Sequence, residues 1–177
     1  ETKKLKVNNP LSKTTNQGSI VSRQHFDKII TYLKSAKKNG AIFLTGGKSK
    51  RLNGEYANGW YIEPTIIENL DRNSQCYNEE AFGPVTSIHK FDKKEDVIKL
   101  ANETKYGLAA SIWTTDLSTA HHVAKSIDFG IVWVNSWNLR DLRTPFGGMK
   151  ESGLGREGGD ESLTFFSEPK NICINYE

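Results

Sequence analysis

Two cysteines in 177 residues are too few for a disulfide framework, and Cys76 and Cys173 match no metal-ligand spacing. No apolar run approaches the roughly 18 residues that a membrane span requires. The N-terminal stretch ETKKLKVNNPLSKTT has basic residues but no apolar stretch, so it does not read as a secretory signal. Charge imbalance is small too. The 24 basic and 21 acidic residues leave a net +3, which gives no argument for nucleic acid or a membrane surface as a partner. No pair among His25, His89, His121 and His122 is spaced i,i+4, and the adjacent His121 and His122 do not share a helix face, so no metal site is expected. There is no internal repeat and no low-complexity tract. These absences leave an intracellular, cytoplasmic chain with two free thiols as the expectation.

What is present is an ordinary globular composition, 36% hydrophobic and 10% aromatic, in a chain long enough for one domain with a core. Residues 1–18 are polar and read as an extended lead-in without a core face. Phe26, Ile29, Ile30, Leu33 and Ala36 then recur at helical spacing, with Ser22 as N-cap and Gly40 just past the end. Ala41–Leu44 reads as a buried strand. Residues 48–59 read as a surface hairpin or loop, and the segments flanking Pro64 as extended structure at an edge or strand start. Thr86–Phe91 is a further strand. Asp92 followed by Glu95 gives a capping-box pattern for the next helix. Ala109–Trp113 is a strand, Asp116 caps a helix, and Ile131–Val134 is another strand. This alternation predicts an α/β fold with a mostly parallel sheet covered by helices. The terminal KNICINY alternates as a strand, suited to pairing at home or to the edge of a partner's sheet.

Between Trp133 and Gly159 the chain holds six of its fifteen glycines in a long irregular stretch, which reads as a site wall. Within it, Gly153, Gly155 and Gly158 form a literal G-x-G-x-x-G. No strand precedes that motif, so the context is wrong for a dinucleotide loop. Cys76 has Glu79 and Glu80 close in sequence, which disfavours a thiolate, and it reads as a packing residue. The segment EEAFGPV at 79–85 admits two readings: a helix end with solvated glutamates, or a carboxylate for a sugar diol beside an aromatic that holds a flat ring. Arg140 and Arg143 are either solvated or a means of capturing a carboxylate through charge-assisted bonds.

Taken together, EEAFGPV, YGLAASIWTTD at 106–116, FGIVWVN at 129–135 and PFGGMKESGLGREGG at 145–159 resemble the aldehyde dehydrogenase superfamily, in its C-terminal part only. The resemblance implies oxidation of an aldehyde with NAD, or NADP, through a cysteine thiolate and a glutamate base. It places the nucleophile, the base and the Rossmann domain upstream of Glu1, so no catalytic residue falls here and the isolated chain is expected to be inactive. It assigns Glu80 to the nicotinamide-ribose hydroxyls, Phe82 to the nicotinamide, Phe146 to the substrate tunnel and Asn135 to the end of the last sheet strand. Arg140, within RDLRTPFGG, is similar to the 2-hydroxymuconic and 2-aminomuconic semialdehyde dehydrogenases, which implies a role on a substrate carboxylate with Arg143 second in line. Residues 1–169 would then belong to the catalytic domain and 170–177 would form a strand for homo-oligomerisation. The alternative expectation is a non-catalytic structural or partner-binding protein built from the same fold.

Overall fold

A computed structural model describes residues 1–176, and the chain divides into two compact units, the first Glu1–Lys90 and the second beginning at Phe91. Chain order in the first unit is α1 (Arg23–Lys38), β1 (Ile42–Thr45), β2 (Ser49–Lys50), β3 (Tyr61–Ile62), β4 (Thr65–Glu68), α2 (Gln75–Asn78) and β5 (Val85–Ile88). The second unit follows with α3 (Lys94–Glu103), β6 (Tyr106–Gly107), β7 (Ala109–Ile112), α4 (Leu117–Ser126), β8 (Ile131–Val134), β9 (Met149–Lys150) and α5 (Gly159–Phe165).

In the first unit, β4 lies between β1, to which it is antiparallel, and β5, to which it is parallel. The Pro64 segment is therefore a strand start, as expected, but of a central strand: proline lacks only its own donor, and Thr65 N–H already bonds Pro84 O at 2.8 Å. Helix α1 forms because Ser22 Oγ accepts from His25 N–H and because Ile29, Leu33 and Ala36 make one apolar stripe. That stripe packs on Ile62, Ile67 and Leu70 to make the core. Strand β1 differs from expectation. It is only half-buried, with Ile42 and Leu44 on an exposed face and Phe43 turned to the core. The lead-in is also more than a lead-in. Val7 is buried, bridges to Gln17, and Gln17 Nε2 donates to Ile62 O at 2.7 Å. One well-placed valine is enough to anchor a polar segment, and a composition argument misses it.

In the second unit β7 and β8 run parallel, and β6 pairs antiparallel with β9. Asp116 caps α4 as expected, accepting from Ser118 N–H and Thr119 N–H at 3.2 and 3.0 Å. The Thr119 hydroxyl also bonds this carboxylate and, with these amides, holds it below the usual carboxylate range. The Asp92–Glu95 capping box does not form. Lys93 is the N-cap of α3 without a side-chain bond, so Glu95 and Asp96 fall in the first turn, where they suit the helix dipole instead. Leu163–Phe166 belongs mostly to α5, and residues 170–176 carry no strand pairing among the described residues and are exposed.

Asn135 stitches the ends of β7 and β8. Its backbone sits at φ +51°, its Oδ1 accepts from Thr114 N–H at 2.9 Å, and its Nδ2 donates to Thr114 O at 2.8 Å. Asn135→Ala deletes both bonds and leaves a Cβ residue at positive φ. We expect a loss of about 1–2 kcal/mol in urea denaturation, with Asn135→Gly losing less because glycine tolerates that φ.

Candidate functional site

The first unit presents the loop that joins α2 to β5. Ser74 caps α2, its Oγ accepting from Tyr77 N–H at 3.3 Å and donating to Asp71 O at 2.6 Å. The chain leaves the helix at Glu79 in an extended conformation and turns at Phe82 with φ +51°. A phenylalanine at positive φ is uncommon, and this one is also 74% exposed. The two adjacent glutamates separate in role. Glu79 is part-buried and accepts from the Tyr32 hydroxyl, whereas Glu80 is exposed and, among the described residues, only its carbonyl oxygen is engaged, by Lys28 Nζ at 3.4 Å. A cavity of about 590 Å³ is lined by Cys76, Glu79, Glu80 and Phe82 among others. Cys76 is half-buried there, and burial pushes its thiol up, away from reactivity. The cause is desolvation rather than the neighbouring carboxylates of Glu79 and Glu80.

The second unit presents the glycine-rich wall. Trp133 Nε1 donates to Leu139 O at 2.7 Å and its ring meets Trp137 edge-on, so the end of β8 fixes the start of the loop. Asp141 then closes a tight turn: Thr144 N–H bonds its carbonyl at 3.1 Å and Gly159 N–H bonds Leu142 O at 3.1 Å. Phe146 and Glu157 exchange both backbone bonds, at 2.7 and 2.8 Å, and Arg156 Nη1 ties Gly148 O and Gly155 O. On this frame the Arg140 guanidinium carbon lies 4.0 Å from the centroid of the Phe146 ring. Both line a cavity of about 240 Å³ together with Ile131, Trp133, Glu157 and Ser162.

The two arginines also divide. Arg143 forks onto Asp141, with Nε at 2.9 Å and Nη2 at 2.6 Å, and Asp141 also accepts its backbone N–H. The guanidinium holds Asp141 below the usual carboxylate range, and Asp141 raises Arg143 in turn. Arg140 makes no ion pair with an acidic side chain among the described residues. The structure thus brings Arg140 and Phe146 together and gives Arg143 a carboxylate of its own. Gly153, Gly155 and Gly158 lie between β9 and the seven-residue α5, so a short strand does precede the motif, contrary to expectation, but it is only two residues long and the helix opens after the motif rather than at it. Sequence reasoning missed His25, Lys28 and Tyr32, which touch the 79–82 loop from α1; their i, i+3, i+7 spacing on a helix was the available signal. Among the described residues no group of three or more His, Cys, Asp or Glu is placed to hold a metal ion, and no helix is long and apolar enough to cross a membrane.

The first unit thus carries an exposed carboxylate–aromatic loop, and the second an arginine held over an aromatic, each on an α/β set of elements. Residues 1–172 match the Aldehyde dehydrogenase family, and the chain belongs to that family. It is 48% identical over 175 residues to the 2-aminomuconic 6-semialdehyde dehydrogenase of a Pseudomonas species, covering 99% of this chain and 36% of that protein. It is 47% identical over 170 residues to the 2-hydroxymuconic semialdehyde dehydrogenase of Pseudomonas sp. strain CF600, covering 96% and 35%. Among solved structures, an NAD+ complex of an aldehyde dehydrogenase from Bacillus cereus superposes with a TM-score of 0.89 at 35% identity, covering 99% of this chain and 35% of that one. The chain therefore spans about a third of the length of the relatives it matches.

Proposed function

We propose that these residues form the C-terminal part of an aldehyde dehydrogenase that oxidises a carboxylated, muconic-type semialdehyde to its acid with NAD. Residues 1–169 belong to its catalytic domain in this reading, and 170–177 form an arm that adds to a neighbouring subunit in a homo-oligomer. The observation that carries the substrate class is the state of Arg140. Its guanidinium is stacked on Phe146 at 4.0 Å beside a small cavity, while the neighbouring Arg143 is already neutralised by Asp141. A planar fork pre-oriented by an aromatic suits a carboxylate at the far end of the substrate from the aldehyde. Arg143 then acts by shaping the turn that follows Arg140.

The 79–82 loop suits the nicotinamide half of the cofactor. Glu80 offers an exposed carboxylate with acceptors for two vicinal hydroxyls, and Phe82 offers an exposed ring for a flat heterocycle. Bound there, the cofactor supplies a hydride acceptor. The residues of this chain bind and orient; none is assigned to the covalent step. Ile172, Ile174 and Tyr176 are exposed on a segment without a strand partner among the described residues, which supports the arm reading, and Glu177 lies outside the described residues.

The test is an assay of the complete polypeptide with NAD, using a carboxylated semialdehyde and a neutral aldehyde of equal length. A higher kcat/KM for the carboxylated substrate is expected, and equal values would overturn the substrate assignment. The 177 residues alone are expected to give no sustained aldehyde oxidation; turnover by them would overturn the division of labour.

A further inference from the structure

One face of α1 is registered residue by residue against the 79–82 loop. His25 Nε2 lies 2.7 Å from Phe82 O, Lys28 Nζ lies 3.4 Å from Glu80 O, and the Tyr32 hydroxyl bonds the Glu79 carboxylate. The steps from 25 to 28 and from 28 to 32 are three and four residues, so the three side chains form a single stripe along the helix. The acceptor at His25 is a carbonyl oxygen, which fixes Nε2 as the protonated nitrogen. Gly83 lets the loop sit close to the helix: a Cβ there would lie 2.5 Å from Ile29 Cδ1, the tip of a buried core side chain that would have to shift. Lys28 Nζ also lies 5.3 Å from the Tyr32 ring centroid, which ties the second and third rungs together.

The loop needs such support. Phe82 sits at φ +51° with its ring mostly in solvent, so neither its backbone preference nor burial of its side chain holds this conformation. Contacts from outside must do so. The geometry points to His25, with Tyr32, as positioning residues that hold Phe82 and Glu80 in place for the nicotinamide half of the cofactor. Neither is required to touch the cofactor; each acts through the loop. This inference rests on the cofactor role proposed above for Glu80 and Phe82.

The experiment uses the complete polypeptide with His25→Ala, His25→Gln and Tyr32→Phe. Two readouts are taken: NADH binding by fluorescence titration, and hydrogen exchange of the peptide spanning 77–86. His25→Ala is expected to weaken NADH binding about tenfold and to speed exchange at 79–83, with aldehyde KM within about twofold of wild type. His25→Gln keeps an N–H donor near the same place and is expected to recover most of both losses. Tyr32→Phe removes one oxygen and should shift both readouts in the same direction by a smaller factor. Rescue by glutamine separates a bond to Phe82 O from mere packing. Unchanged NADH binding in His25→Ala overturns the proposal, as does a glutamine variant as impaired as the alanine one. If the wild-type polypeptide fails to bind NADH while exchange at 79–83 still responds to His25→Ala, the cofactor reading fails and the brace itself stands.

Discussion

Replacing Arg140 with alanine in the complete enzyme is expected to raise KM for a carboxylated semialdehyde between about tenfold and about a hundredfold, the range that loss of a hydrogen bond to a charged group gives. Neutral aldehydes of equal length should change less than about twofold. The selectivity follows from geometry, since Arg140 is stacked on Phe146 and makes no ion pair among the described residues, so the unliganded fold loses only that ring contact. Arg140→Lys should fall between. It keeps the charge but loses the fork and the planar stack, so it recovers attraction without orientation. Steady-state kinetics on matched substrates reads the effect directly, because a change confined to KM marks lost binding, whereas an equal loss of kcat marks contacts made only in the transition state. A similar loss on both substrate classes would count against the carboxylate role.

How much of this site was legible in the sequence depends on which atoms carry it. Glu80, Phe82, Arg140 and Phe146 stand in recognisable motifs, and each lines a cavity, Phe146 half-buried and the other three exposed. What the motifs did not separate were like neighbours. Glu79 and Glu80 are chemically identical, as are Arg140 and Arg143, and only the partners distinguish them. Tyr32 takes Glu79 across 47 positions of sequence, and Asp141 takes Arg143 across two. The first pairing is invisible without a fold. The second was readable in principle, since Asp-x-Arg in a turn lets the carboxylate cap the backbone and fork the guanidinium at once.

The fold shows the same division between local and distant causes. Caps at Ser22 and Asp116 operate within three residues and came out as expected. The capping box at Asp92 failed although its pattern is equally local, because the helix began one residue later than the pattern required, with Lys93 as cap. Burial of Val7 and the central place of β4 depend on pairings with Gln17 and Pro84 that no periodicity encodes. The alternation in KNICINY meets no strand partner among the described residues, and a strand needs pairing as well as pattern.

Gly130→Ala is expected to be the most disruptive single change in the second unit, costing upwards of about 3 kcal/mol. A Cβ built on Gly130 would lie 1.7 Å from Gly147 O and 3.3 Å from Gly148 Cα, and both obstacles are backbone, which does not rotate away. Gly130 has little freedom to retreat, because its N–H bonds Gly107 O at 2.9 Å and the next residue bonds Leu108 O at 3.1 Å. The strain must therefore open either the entrance to β8 or the turn carrying Phe146, the ring beneath Arg140. A melting temperature lower by about 10 °C or more is expected for the complete enzyme, or a failure to accumulate as soluble protein. In variants that still fold, KM for the carboxylated substrate should rise together with the loss of stability, since the displaced turn is the one that seats the arginine. Gly153→Ala serves as the control within the same glycine-rich wall. Its Cβ would meet Gly148 N at 3.3 Å, a distance that a small shift relieves, and a cost below about 1 kcal/mol is expected. A wild-type melting temperature for Gly130→Ala would show that the wall can move as a body, and the rigid seat argued for Arg140 would have to be abandoned.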